Sequence, residues 1–219
     1  MAITYEACIT SVAQARTAQN AGADRLELCA RLVTGGVTPP LARLAAVRRA
    51  VELPLHVMIR PRPGDFHVTA AELRQMQAEI AAARDAGADG LVAGLLRPDA
   101  TVDGPAMAVV VRAARGLPVT FHRAFDLVPD QFLALEELIA LGISRVLTSG
   151  AAPTARHGTA RLRQLVRAAR GRIGIIAAGS VRPGTVAALV AATGVTEVHA
   201  HLRQARAMRA MARAIRTGT

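Results

Sequence analysis

The sequence has no lysine and no tryptophan, and it is poor in cysteine and in aromatic residues. All 27 basic residues are arginine, and aromatic residues make up 2% of the 219 positions. Proteins that bind single-stranded nucleic acid usually stack bases on aromatic rings, so this composition argues against that class. Two cysteines are too few for a disulfide framework, and in a reducing compartment both remain thiols.

Long apolar runs are also missing. No stretch approaches the roughly 20 apolar residues of a membrane span, and the N-terminus, MAITYEACITSVAQ, has neither a basic leader nor an apolar signal core. We therefore predict a cytoplasmic protein with no membrane segment. With 52% hydrophobic residues the chain can bury one substantial core, and we predict a single domain over residues 1–219.

The net charge is strongly positive, at +11. Arginines recur at helical spacing near the C-terminus, at Arg203, Arg206, Arg209, Arg213 and Arg216. This stripe is either a solvated helix face or a polyanion-binding surface. The exclusive use of arginine is typical of coding bias, and aromatic residues are scarce. We therefore favour the solvated face and expect no nucleic-acid partner.

A pattern of helix, glycine and short apolar run recurs along the chain. Four segments share it: NAGADRLELCA, DAGADGLVAG, ALGISRVLTSG and ATGVTEVHAH. The glycine in each ends a helix, because glycine adopts the left-handed conformation found at helix C-termini. Four further apolar runs bring the number of predicted strands to eight, at residues 4–8, 24–29, 55–60, 90–94, 119–123, 145–148, 173–178 and 197–199.

Strand and alanine-rich helix alternate eight times in this pattern. Such alternation favours parallel pairing, and eight units close naturally into a barrel. An open doubly wound sheet is the alternative, but no GxGxxG follows the first strand and the repeats are evenly spaced. We predict an α/β protein, a single-domain (β/α)8 TIM barrel.

Polar residues alternate with apolar ones in four of the predicted strands. Parallel strands covered on both faces usually read as continuous apolar runs, so the alternation needs a cause. If the apolar set packs on the helices, the polar set points into the barrel, near the C-terminal mouth where barrel active sites form. The residues predicted there are Glu6, Cys8, Glu27, Cys29, Arg60 and His122.

Buried carboxylates need partners, and we expect Arg60, Arg62 or Arg123 to supply them for Glu6 and Glu27. A structural ion-pair network and an enzyme site are both open interpretations of this cluster. In the enzyme interpretation, His122 of VTFHRAFD is a general acid or base, oriented by Asp126 or Glu27. The candidate catalytic residues are Glu6, Glu27, Arg60, His122, Arg123 and Asp126.

The ligand expected for such an enzyme is a small anion, phosphorylated or carboxylated, held by the arginines. The segments TSG (148–150) and AGS (178–180), after strands six and seven, are similar to the phosphate-binding late loops of many barrels. His199 and His201 share one face of the last strand, either as an imidazole pair at the mouth or as structural histidines. A homo-oligomer is left open, as is the reaction.

Several long motifs match a known family in order and spacing: GADRLELCA with GGVTPP, VMIRPRPGDF, VTFHRAFD and RVLTSG. On these motifs the chain resembles the CutC family of copper-homeostasis proteins, from Glu6 to about His199. The resemblance implies a (β/α)8 barrel, a role in copper homeostasis, and copper(I) binding by Cys8 and Cys29. Copper(I) is soft and prefers thiolate and thioether ligands, so Met58 is a candidate third ligand.

Three positions depart from the family pattern. Ser180 stands in AGSV where a second glycine is typical, Thr185 takes the place of an asparagine in the next helix, and His201 ends a segment that is usually H-S-S. These departures put ligand contacts through the seventh and eighth loops in doubt. The motifs on strands one, two, three and five are intact.

Overall fold

Eight parallel strands close into a barrel, paired in sequence order from the first strand to the eighth and back to the first. The computed structural model describes residues 2–217. The strands are β1 (Thr4–Ile9), β2 (Arg25–Leu28), β3 (Leu55–Met58), β4 (Gly90–Ala93), β5 (Val119–Phe121), β6 (Arg145–Thr148), β7 (Gly174–Ala177) and β8 (Glu197–Ala200). Because β8 pairs with β1, the predicted TIM barrel is confirmed and the open sheet is wrong.

Within the described residues, eight α-helices surround the barrel, one after each strand. They are α1 (Val12–Asn20), α2 (Leu41–Arg48), α3 (Ala70–Asp85), α4 (Gly104–Ala114), α5 (Gln131–Ala140), α6 (Thr159–Ala169), α7 (Pro183–Thr193) and α8 (Ala205–Thr217). The four glycines predicted to end helices have φ between +76° and +87°, the left-handed conformation that favours glycine. None of the described helices is both long and apolar enough to cross a membrane.

The apolar residues of the strands pack outward against the helices. Tyr5, Leu26 and Phe121 are fully buried in one cluster with helix residues such as Met76 and Val110. Alternate positions on the same strands carry buried polar groups, which contact one another across the barrel interior. The alternation in the sequence therefore does separate a helix-facing side from an interior side.

Five strands end earlier than predicted, and in β3 and β5 the difference of two residues places the site residues Arg60 and His122 on loops. Arg60 lies beyond β3, where its backbone N–H donates to Thr38 Oγ1 rather than to a neighbouring strand. His122 follows β5 directly and begins a short 3-10 helix over Arg123–Leu127. Both residues therefore lie at the C-terminal rim of the barrel.

The last helix, α8, confirms the predicted segregation of its arginines. Met208, Met211 and Ile215 are buried, whereas Arg206, Arg209, Arg213 and Arg216 lie on the exposed face and Arg203 precedes the helix. The interpretation of the arginine stripe as a solvated face stays a prediction.

Candidate functional site at the barrel mouth

A cavity of about 560 Å³ opens at the C-terminal end of the barrel. Its size lies within the range of roughly 300–1,000 Å³ that is usual for small-ligand sites. Five predicted site residues line it: Cys8, Glu27, Arg60, His122 and Arg123. Three others, Glu6, Cys29 and Asp126, lie in or behind the wall without lining the cavity.

A buried ion network forms the layer beneath the cavity. Glu6, which is 1% exposed, accepts a hydrogen bond from Arg25 Nε at 2.5 Å and another from His199 Nδ1 at 2.7 Å. Arg25 also donates to Glu197 at 2.5 Å. These residues lie on the adjacent strands β8, β1 and β2, so each charge meets an opposite one in the barrel interior.

The partners predicted for the buried carboxylates are wrong. The Arg60 guanidinium donates to backbone carbonyls, Arg62 pairs with Asp65 and Glu72, and Arg123 pairs with Asp126. Glu6 is instead neutralised from inside the barrel, by Arg25 and His199. Arg25 is not among the predicted site residues, although its spacing of two from Glu27 places both on the interior face of β2.

Electrostatics at the cavity wall couple Glu27 to His199, whose Nδ1 lies 4.0 Å from Glu27 Oε2. Burial raises the pKa of Glu27 to about 7, and the negative Glu6 acts in the same direction. Burial alone would lower the pKa of His199, but the Glu27 and Glu6 carboxylates outweigh it and raise that pKa to about 9. Near neutral pH, His199 is therefore cationic and Glu27 is close to half protonated.

We expect the metal-free protein to lose stability as the pH rises from about 6.5 to about 9. Over this interval folded His199 keeps a proton that the unfolded chain has released, and Glu27 does the same up to about 7. Stability falls with pH wherever the folded state binds more protons, here by on the order of 2 kcal/mol. Urea denaturation at several pH values measures the slope.

The double variant Glu27→Gln with His199→Gln should lack this decline. Both substitutions are needed, because removing one member of a coupled pair shifts the titration of the other. His157→Gln, which changes an exposed loop histidine, serves as the control and should keep the slope. A double variant that declines as steeply as the native chain would contradict the assignment.

Two thiols lie side by side at one edge of the cavity. Cys8 Sγ and Cys29 Sγ are 3.9 Å apart, and both cysteines are free and buried. Cys8 lines the cavity, whereas Cys29 is fully buried with Met58 and Val92. The hydrogen bond between the thiols and their burial, together with the nearby Glu27, raise the pKa of the Cys8 thiol.

A second donor set overlaps this pair. One ligand atom from each of Cys8, Glu27 and His199 lies within 4.8 Å of the other two. Sulfur, oxygen and nitrogen donors together suit a borderline cation, while two sulfurs suit a soft one. The two sets share Cys8, so a single ion at the mouth uses one set or the other.

The His122 ring is a neutral imidazole whose Nε2 has no hydrogen-bond partner among the described residues. Its Nδ1 accepts the backbone N–H of Ala124 at 3.2 Å, so the proton of the neutral ring lies on Nε2. Burial, together with the positive charge of Arg60, lowers the pKa of His122 to about 3. The ring therefore stays uncharged at neutral pH, which suits it to polarise an oxygen rather than to exchange protons.

The predicted role of Asp126 in orienting His122 is wrong, because its carboxylate is committed elsewhere. It accepts hydrogen bonds from Thr148 Oγ1 at 2.5 Å and from the backbone N–H groups of Ser149 and Ala151, and it pairs with Arg123. These are the donors that the sequence suggests for a phosphate after strand six. Asp126 occupies that cradle with its own negative charge, so the loop is not free for an anion.

The loop after β7 faces the cavity instead. Gly179 and Ser180 both line it, with φ of +95° and +55°. His201 also lines it, and its Nδ1 donates to the Cys8 carbonyl at 3.2 Å. Two of the departures from the family pattern, Ser180 and His201, therefore lie at the mouth. The third, Thr185, lies in the first turn of α7, where its hydroxyl donates to the Arg182 carbonyl.

Comparison with known proteins settles the family. The family model described as CutC family matches residues 3–204. The chain belongs to the CutC family. A family protein CutC from Porphyromonas gingivalis is 43% identical over 93% of this chain and 82% of its own length. The copper homeostasis protein cutC homolog of Homo sapiens is 42% identical over 92% of this chain and 74% of its own.

A solved CutC structure shows the same architecture. The CutC protein of Streptococcus agalactiae superposes with a TM-score of 0.87 at 32% identity, over 90% of this chain and 97% of its own. The resemblance seen in the sequence motifs is thus confirmed, in family and in fold.

Proposed function

We propose that this CutC protein serves copper homeostasis by binding copper(I) at Cys8 and Cys29. The curated human and mouse relatives carry the name copper homeostasis protein, which supports the broader role. The observation that carries the finer proposal is the distance of 3.9 Å between the two sulfurs at the edge of an open cavity.

The sulfur pair fits a soft ion by distance and by chemistry. With metal–thiolate bonds of about 2.3 Å, two sulfurs 3.9 Å apart subtend roughly 115° at a shared ion. That angle lies between tetrahedral and trigonal, so the pair needs little movement. Met58 packs in the same cluster and offers a thioether, the other donor type that copper(I) favours.

The loop at Gly36 covers one side of the sulfur pair. A Cβ on Gly36 would lie 3.6 Å from Cys29 Sγ and 3.6 Å from the Met58 methyl group, and Gly36 has φ of +86°. The loop therefore passes directly over Cys29 and Met58, which closes that side to solvent. Copper would enter through the cavity, because Cys8 lines its wall.

Binding couples to proton release. The raised pKa of the Cys8 thiol keeps it protonated in the free protein, so an ion that binds it as a thiolate displaces that proton and binds more tightly as the pH rises. Glu27 and Glu6 disfavour a bare thiolate at Cys8, but the same negative groups stabilise a bound cation.

Anaerobic titration with copper(I) against a chromophoric chelator tests the proposal. We expect Cys8→Ser with Cys29→Ser to weaken binding by at least about 100-fold, because hydroxyls are poor ligands for a soft ion. Met58→Leu should weaken it less, and Met107→Leu is the matched control, a buried methionine on α4. Unchanged affinity in the double cysteine variant would falsify the thiolate site.

Single variants separate the two donor sets. If the ion sits between the sulfurs, Cys29→Ser weakens binding and X-ray absorption shows only sulfur neighbours. If it sits among Cys8, Glu27 and His199, Cys29→Ser leaves binding intact, whereas Glu27→Gln abolishes it and nitrogen or oxygen neighbours appear. The second outcome refutes the sulfur pair as the copper site.

A further inference from the structure

We infer that the mouth cavity also binds a small organic anion, with its charged group against Arg60 and Arg182 and a hydroxyl or carbonyl oxygen beside His122 and Glu27. This site is separate in its chemistry from the sulfur pair. It uses the nitrogen and oxygen groups of the same cavity and needs no metal.

The first observation is the buried, unneutralised charge of Arg60. Arg60 is 7% exposed, and its guanidinium donates to the carbonyls of Gly36 at 3.0 Å and Gly64 at 2.7 Å. Carbonyls satisfy donors without cancelling a full charge, and no carboxylate of the described residues lies within 4.0 Å of this guanidinium. A buried cation without an opposite charge is costly, so the arrangement favours an anion in the cavity.

The charged residues that line the cavity also favour an anion. Three arginines line the cavity: Arg60, Arg123 and Arg182. Arg123 pairs with Asp126, whereas Arg182 has only a weak contact to the Val181 carbonyl at 3.4 Å among the described residues. Among the described residues, Glu27 is the only carboxylate that lines the cavity. The mouth is therefore net positive.

Unpartnered polar atoms in the cavity wall indicate an organic ligand rather than a simple inorganic ion. Arg60 Nε, His122 Nε2 and Glu27 Oε2 are buried without a hydrogen-bond partner among the described residues. All three belong to residues of the cavity wall, and native proteins seldom leave buried polar groups unpaired. A small inorganic anion could satisfy Arg60 alone, whereas an organic anion with further oxygens could also reach His122 and Glu27.

The donor pattern narrows the class of molecule. His122 offers an N–H at Nε2, which requires an acceptor oxygen such as a carbonyl or hydroxyl. Glu27 offers a carboxyl group, which pairs with a hydroxyl. Phe66 packs on both the His122 ring, at 4.9 Å, and the Arg60 guanidinium, at 4.6 Å, and so holds the two groups on one wall. A hydroxy acid or its phosphate matches this set.

Calorimetric titration of the Cys8→Ser, Cys29→Ser protein, which lacks both thiols, tests the inference apart from copper. The probes are glycolate, 2-phosphoglycolate, 3-phosphoglycerate, inorganic phosphate and neutral glycerol. We expect at least one hydroxy acid or its phosphate to bind more tightly than inorganic phosphate, and glycerol not to bind. Tighter binding of the two phosphorylated acids than of glycolate would show that a phosphate group contributes to the affinity.

Matched variants locate the binding. Arg182→Met and Arg60→Met should each weaken it about tenfold or more, the cost of a lost charged hydrogen bond. Arg112→Met, on the outer face of α4, makes the same change in net charge and should have no effect. His122→Phe should remove the preference over inorganic phosphate while leaving inorganic phosphate binding unchanged.

Two results overturn the inference. One is the absence of binding by any probe at about 5 mM, the weakest affinity that calorimetry resolves well. The other is binding that Arg182→Met and Arg112→Met weaken equally, which would show a general charge effect. Arg182 is exposed and holds no loop, so misfolding does not confuse this comparison. A native protein that binds no copper(I), together with retained anion binding by the double cysteine variant, would refute only the copper proposal.

Discussion

Replacing Arg25 with methionine is expected to lower the free energy of unfolding by about 3–5 kcal/mol. The substitution keeps the length of the side chain but removes the cation between Glu6 and Glu197, so that Glu6 is left with His199 and Glu197 with Arg145. Glu6 is 1% exposed, so solvent cannot screen its charge. Urea denaturation followed by circular dichroism measures the change, which corresponds to a melting temperature lower by roughly 6–20 °C.

The control is Arg172→Met, which breaks the exposed pair with Glu136. Exposed pairs contribute little, so this variant should unfold nearly as the native chain does. Adding Glu6→Gln to Arg25→Met removes the carboxylate that has lost its arginine partner, and it should recover part of the lost free energy of unfolding. If Arg25→Met is no less stable than Arg172→Met, the buried network is not a determinant of stability.

Asp126→Asn is expected to destabilise the protein by about 2–4 kcal/mol. The carboxylate accepts from Thr148 Oγ1, from two backbone N–H groups of the β6 loop and from Ser149 Oγ, and its side chain is 8% exposed. The asparagine amide would turn its own N–H donors toward some of these groups, which are themselves donors, so hydrogen bonds would be lost. Thermal and urea denaturation measure the loss.

Asp130→Asn provides the comparison for Asp126. Asp130 also accepts two backbone N–H bonds, at the start of α5, but it is exposed and asparagine caps helices as well as aspartate does. The control should therefore be nearly neutral. A stable Asp126→Asn variant would count against a structural role and would return Asp126 to the candidate catalytic residues.

Local patterns in the sequence predict much of the fold because they reflect short-range physics. Glycine after each helix follows from the left-handed conformation at helix ends, and the alternation in TYEACI or LHVM follows from the two-residue period of a strand. Eight repeats then leave few topologies. Strand ends are less predictable, as Arg60 and His122 show, because they depend on which loop groups satisfy the backbone.

The partners of charged residues could not be predicted in the same way. Glu6 is neutralised by Arg25 on the next strand and by His199, which is 193 residues away in sequence. Asp126 closes a cradle formed by the β6 loop, whose sequence alone suggests a phosphate site. Such pairings depend on strand register and on competition among several donors for one acceptor, and neither is encoded in local spacing.

By itself, the sequence determined the barrel and the facing of Cys8, Glu27 and His122 toward the mouth, because the two-residue period of a strand is a local property of the chain. It also determined the family, because the long motifs lie in the chain itself. Only the tertiary structure decided which of those groups meet. Pairing of β1 with β2 sets Cys8 3.9 Å from Cys29, closure of the barrel through β8 brings His199 to Glu27, and the loop beyond β3 leaves Arg60 without a carboxylate partner among the described residues. The first two relations join residues that are far apart in the sequence, and they exist only once the strands have paired.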